Sequence, residues 1–168
     1  AGVSGVAPHS GVLRSRLAHL DTRLPQRVVD PAMLAEAEAL LAANAGRPVD
    51  ALDGIPPEAR AQWVVSRGRW LTEWLDVRVR FFQLGQVSFV GVPFEVFVEF
   101  GLALSRRFPE HEVRVVSLTG DYLGYLPTAV AFTQGGYEPS FGTSTVCAGA
   151  GERLFATIEG ALAAFLDT

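Results

Sequence analysis

One carboxylate and a cluster of phenols are the residues of this sequence best suited to chemistry. The chain holds three tyrosines, Tyr122, Tyr125 and Tyr137, all within sixteen residues of one another. Glu95 follows the apolar run VSFVGVPF, where a strand gives way to the next element. Carboxylate and phenolic oxygens are hard donors that can ligate a metal ion, and a phenol hydroxyl can donate to a developing oxyanion. Glu95 taken alone also fits a plainer role. A carboxylate in the first turn of a helix sits favourably against the positive end of the helix dipole. Tyr122 and Tyr125 flank Gly124 in TGDYLGYLPT, after Gly120-Asp121 has turned the chain out of a strand. One ring packing and the other capping the loop would equally account for that pair. A buried tyrosine hydroxyl needs a partner in either case. Tyr137 follows Gly135-Gly136, a point where backbone bends tightly.

Other reactive residues carry less. His9, His19 and His111 stand at no metal-ligand spacing, and the sequence contains no HxH, HExxH or CxxC. The single cysteine, Cys147, cannot form an internal disulfide and reads as a small apolar filler. No GxSxG, phosphate-binding loop or dinucleotide glycine motif is present. Gly149, Gly151 and Glu152 in AGAGER read as a turn into a helix. Glu99 reads as solvated or paired with Arg106. All 14 basic residues are arginine and the net charge is −4. The arginines are scattered without a basic stripe, which argues against nucleic-acid binding.

These residues need elements to position them. Val12–Leu20 partly alternates and predicts a strand. Asp30 can cap a helix with Pro31 in its first turn, running to about Asn44. After a proline-containing loop, Pro57–Leu75 predicts a second helix, with Trp63, Trp70 and Trp74 on one apolar face. Val77–Val92 predicts a hairpin turning at Gly85. Phe94–Arg107 predicts a helix with Glu95 in its first turn, and Val113–Leu118 predicts another strand. Pro127–Thr133 and Glu152–Leu166 complete the helices. Strands and helices intermix, so the expected class is α/β, a mixed β-sheet packed with helices.

A chain of 168 residues is about one domain. Hydrophobic residues make up 49% and charged residues 19%. That balance fits a sheet buried on both faces, or a surface that packs on something outside the chain. No apolar run is long and clean enough to cross a bilayer, because Pro93, Glu95 and Glu99 interrupt Val87–Leu104. The N-terminus lacks the pattern of a signal peptide. Residues 1–11 are expected to form an arm or processed end, and residues 12–168 a single domain or half-domain. The chain reads as soluble, cytoplasmic or secreted after processing.

Four pieces in order, PFEVFVEFGLALSRR, VVSLTGDYLGYLPTAVAF, GGYE and GAGERL, resemble the C-terminal part of the catalytic domain of the neutral/alkaline ceramidase family. The match runs from about Val87 to the C-terminus, and residues 12–86 fit more weakly as the preceding segment. The resemblance implies the C-terminal portion of a larger two-layer or sandwich-like catalytic domain. It implies a zinc-dependent amidase that hydrolyses the N-acyl bond of ceramide-like lipids. The family's glutamate ligand lies six residues before a helix glycine, which puts it at Glu95 before Gly101. The second tyrosine of the family's YxxY turn is a ligand, which corresponds to Tyr125. A further tyrosine that holds the substrate oxygen corresponds to Tyr137, while Tyr122 corresponds to a structural position. Phe94 stands where the family usually has glycine. The family's two histidine ligands lie in an N-terminal half that has no counterpart in this sequence. The resemblance therefore implies a companion polypeptide or missing half that supplies them, and a chain inactive alone. The alternative is a non-catalytic binding or assembly module that retains the scaffold.

Overall fold

The computed structural model describes residues 14–45, 56–68 and 70–167. The expected arm at residues 1–11, the start of the first expected strand, the loop around Pro48, and Arg69 lie outside these residues. In chain order the elements begin with β1 (Ser15–Pro25), α1 (Pro31–Ala43), α2 (Pro57–Gly68), β2 (Trp74–Leu84) and β3 (Val87–Gly91). There follow β4 (Glu95–Val96), α3 (Val98–Arg107), β5 (Glu112–Val116), β6 (Tyr125–Leu126), α4 (Ala129–Gln134) and α5 (Ala150–Leu166).

Alternation of apolar and polar residues drives the main sheet. β1 and β2 pair antiparallel from Ser15 opposite Leu84 to Pro25 opposite Trp74. Leu24, Val77, Val79 and Phe81 are buried on one side, while His19, Asp21, Arg23 and Arg78 face out. That is the period-two signature of a strand with one covered face. Gly85, with φ +60°, makes the turn into β3, which returns antiparallel to β2. The helix α3 then carries the chain across to β5, which lies parallel to β3. The sheet order is β1-β2-β3-β5. This is the expected α/β class with a mixed sheet.

The covered face packs on α5, which buries Leu154, Phe155, Ile158 and Leu162 at helical spacing. Each such side chain contributes ~1.5–3 kcal/mol when taken from water. Phe100 of α3 stacks on Phe155 of α5 with ring centroids 4.7 Å apart. Gly151 makes this approach possible, since a Cβ there would lie 2.4 Å from the Phe100 ring. A smaller core joins α1 and α2 through Ala37, Ala61 and Val64. Asp30 caps α1 as expected, accepting a hydrogen bond from the Met33 N–H at 2.8 Å.

Three expected boundaries are corrected. The first strand continues to Pro25 rather than ending at Leu20, because β1 finds a backbone partner in β2 along its whole length. The second helix stops at Gly68 rather than Leu75. Trp74 instead opens β2, and Trp70 is 83% exposed, so the three tryptophans do not share a face. Their helical spacing spans a real break, and pairing with β1 outweighs helix continuation. The third helix starts at Val98 rather than Phe94, which removes Glu95 from any helix. Phe94 is fully buried in the main core instead.

Candidate functional site

β3 and β5 run parallel, and both release the chain at the same end of the sheet. The segment leaving β3 is held from two sides. On one side the Leu118 and Thr119 N–H groups donate to the Phe94 and Val92 carbonyls, each at 3.0 Å. The Ser117 hydroxyl also accepts from the Val96 N–H at 3.2 Å. On the other side Leu123 N–H donates to Pro93 O at 2.8 Å, and Glu95 N–H donates to Gly124 O at 2.9 Å. Backbone bonds on both flanks favour an extended chain over a helical turn. β4 therefore pairs with β6 as a short parallel ladder, with Glu95 opposite Tyr125 and Val96 opposite Leu126.

Gly124 allows the second flank to come this close. Its φ is +86°, and a Cβ would lie 2.4 Å from the Thr143 carbonyl oxygen. Both features exclude a side chain. The next residue, Tyr125, donates its N–H to the same Thr143 carbonyl at 2.9 Å. Gly135 and Gly136, both at positive φ, turn the chain from α4 into Tyr137. Ser140 Oγ and Thr143 Oγ1 each lie 2.6 Å from the Tyr137 carbonyl oxygen and tie down that loop.

The side chains converge on Glu95. Tyr122 donates its hydroxyl to Glu95 Oε1 at 3.1 Å. Tyr125 stands opposite Glu95 in the ladder, and hydrogen bonding to that carboxylate pushes its phenol up to about 12, with desolvation adding to the shift. The same cause, hydrogen bonding to Glu95, raises Tyr122 above the ordinary phenol value. Hydrogen bonding to a carboxylate favours the neutral phenol, and the negative charge opposes a phenolate. Tyr137 meets Tyr125 edge to face, with centroids 5.9 Å apart and planes at 81°. All four expected residues thus gather at one place. Tyr122, expected to be structural, is 59% exposed and bonded to Glu95.

A cleft of about 400 Å³ opens beside this group, lined by Glu95, Glu99, Tyr125 and Glu138 among polar residues and by Val98 and Leu118 among apolar ones. Sequence reasoning assigned no role to Glu138 or Leu118. The position of Glu138 directly after Tyr137 was the available signal for the first. Leu118 has none, since its left-handed backbone, φ 58°, is set by the turn that clamps Phe94. A larger depression of about 500 Å³ lies by Asp21, Arg78 and Asp121. The pair at its base is already satisfied, with Arg78 donating to both oxygens of Asp21 at 2.6 and 2.9 Å. The tyrosine-bearing cleft is the better candidate on chemistry.

Glu95 and Tyr125 present a carboxylate and a phenol oxygen on neighbouring strands, a donor set compatible with zinc. Among the described residues no group of three or more His, Cys, Asp or Glu is placed to hold a metal ion. His19 lies 3.7 Å from Asp21 on the exposed sheet face, and His111 is in the turn before β5. The pair alone supplies two donors, fewer than the four that a structural zinc site uses. Cys147 donates its thiol to the carbonyl of Gln26, just past the end of β1, at 3.1 Å. Among the described residues no helix is long and apolar enough to cross a membrane.

No family model matches the chain, and no curated protein matches it. Among solved structures, the chain is similar to a neutral ceramidase from Pseudomonas aeruginosa, with 23% identity and a TM-score of 0.47. That similarity covers 90% of this chain and 28% of the other. A ceramidase complexed with C2 gives 21% identity and a TM-score of 0.49, over 90% of this chain and 30% of that one. The chain thus spans less than a third of either structure it matches.

Proposed function

We propose that this chain contributes the carboxylate and phenol part of a zinc-dependent amidohydrolase site that cleaves an N-acyl amide bond in a ceramide-like lipid. The observation that carries this reading is the parallel register that sets Glu95 opposite Tyr125, with Tyr137 against the Tyr125 ring. The four sequence pieces that resemble the ceramidase family support the same roles.

In this reading Glu95 and Tyr125 would hold zinc, and two histidines from a companion polypeptide or another part of the protein would complete the set. Zinc bound in such a site supplies a hydroxide nucleophile near neutral pH by lowering the pKa of water to about 7. The residues of this chain then do the positioning. Tyr137, 51% exposed and edge-on to the Tyr125 ring, offers a hydroxyl donor to the amide oxygen as negative charge gathers on it. Tyr125 and Glu95 keep fixed places because backbone bonds clamp β4 on both flanks.

The experiment is zinc analysis of the chain, alone and with any polypeptide that copurifies with it, alongside release of fatty acid from a fluorescent N-acyl amide. Zinc content and hydrolysis that both depend on Glu95 and Tyr125 support the proposal. Stoichiometric zinc in the isolated chain, unchanged by Glu95→Ala, would sink the shared site.

A second reading, a binding or assembly module, draws on the open sheet face. Leu17 there is 75% exposed, close to the stacked Phe82 and Phe89 rings. Tight association without metal, and no hydrolysis under any condition, would favour it. Loss of hydrolysis in Tyr125→Phe with the fold intact would count against it.

A further inference from the structure

Tyr122 is an unusual residue to find hydrogen-bonded to a candidate ligand. More than half of it is exposed, so core packing does not explain its placement. Its hydroxyl reaches across to Glu95 Oε1, 27 positions away in sequence, at 3.1 Å. The backbone around it is fixed. Tyr122 N–H donates to Asp121 Oδ1 at 2.7 Å, Leu123 N–H donates to Pro93 O at 2.8 Å, and Gly124 supplies the left-handed turn. The turn that brings Tyr125 beside Glu95 thus brings Tyr122 to the same carboxylate.

Two phenols at one carboxylate differ in what each can do. A phenol has one proton to donate. If the Tyr125 oxygen faces a cation, the Tyr122 hydroxyl is the group the structure shows bonded to Glu95 Oε1. Glu95 then depends on Tyr122 for its orientation. Groups that orient metal ligands from behind are known to matter, because they fix which lone pair faces the ion.

We propose that Tyr122 is a positioning residue whose hydroxyl holds Oε1 of Glu95, so that the carboxylate keeps one orientation and leaves Oε2 to the cleft. This deepens the zinc reading above and rests on it for the identity of the cation. Tyr122 itself touches neither zinc nor substrate. Its effect passes through Glu95.

The test compares Tyr122→Phe and Tyr122→Leu with the wild type in the full chain, zinc-free and together with any copurifying partner. The first readout is the ¹³C resonance of the Glu95 carboxyl carbon at fixed pH. The second is Zn²⁺ affinity by competition with a chromophoric chelator. Both variants are expected to shift the Glu95 resonance and to weaken Zn²⁺ binding by about tenfold, the lower end for such supporting groups. In a Glu95→Gln background, Tyr122→Phe should weaken binding no further. An unmoved Glu95 resonance in Tyr122→Phe overturns the proposal. So does an effect seen in Tyr122→Leu alone, which would assign the role to the ring rather than the hydroxyl. If the resonance moves while Zn²⁺ binding is indifferent to Glu95→Ala, the positioning role stands and the zinc assignment of Glu95 falls.

Discussion

Glu95 and Tyr125 are direct register partners, set side by side by a parallel ladder only two residues long. Because each is fixed through its backbone, the contact between carboxylate and phenol is built into the fold.

The first consequence is a tyrosine that resists ionisation. Tyr125 should titrate at about 12 in ultraviolet difference spectra, against an ordinary value of about 10. Glu95→Gln removes the charge that holds the proton and should bring the Tyr125 midpoint down toward the ordinary value. The sign for stability follows from the raised value. The neutral phenol is favoured in the folded state, so its contribution is complete below pH 10 and is lost as pH rises through about 12. Urea midpoints measured from pH 8 to 12 should fall more steeply in the wild type than in Glu95→Gln.

Gly124 carries a heavier structural load than its neighbours. Gly124→Ala forces a Cβ against the Thr143 carbonyl and strains a left-handed backbone. We expect a loss of about 2 kcal/mol or more in urea denaturation. The amide signals of Glu95 and Tyr125 should move with it. Wild-type stability in Gly124→Ala would mean that the turn relaxes easily.

Leu118 should show the reverse. It is half exposed and left-handed, φ 58°, a conformation that costs a side-chain-bearing residue ~1–2 kcal/mol. Leu118→Gly relieves that cost at the expense of greater freedom in the unfolded chain. A net gain of about 0.5 kcal/mol is the expected result. If the apolar wall of the cleft contacts substrate, KM for an N-acyl amide should rise in this more stable variant.

The core under the sheet is the part most sensitive to truncation. Ile158 is fully buried between α5 and the strands. Ile158→Ala should cost about 2–5 kcal/mol, read from chemical denaturation. Arg107→Ala, which breaks an exposed pair with Glu159, should stay within about 1 kcal/mol of the wild type.

Long elements with clear periodicity could be read from sequence, and short ones could not. The hairpin of β2 and β3 and the final helix follow from alternation and helical spacing, which local chemistry enforces. The tryptophan spacing misled because Gly68 interrupts the helix between Trp63 and Trp70, and a strand partner distant in sequence then captured Trp74. β4 and β6 are too short to carry any period. They exist through hydrogen bonds from Glu95 N–H to the Gly124 carbonyl, from Val96 N–H to the Ser117 hydroxyl and from Tyr125 N–H to the Thr143 carbonyl, contacts that no local pattern announces. The same limit applied to the candidate site. Glu95 and the tyrosines stood out by residue type and clustering. The bond from Tyr122 to Glu95 arises only once Gly124 has turned the chain, and Leu118 gains its place at the cleft from tertiary pairing alone.

The parallel pairing of β3 and β5 has a wider consequence. Both strands deliver their carboxyl ends to the same rim, where Glu95 follows one and Leu118 follows the other. The residues at that rim come from the two-residue ladder of β4 and β6, the turn at Leu118 and the first turn of α3, while the strands beneath rest on α5. The side chains at this rim and the strands that hold it are set by largely different residues, although α3 serves both. Substitutions along the rim can retune what the cleft accepts without disturbing the register below, so this end of the sheet is where an evolving or engineered specificity would be written.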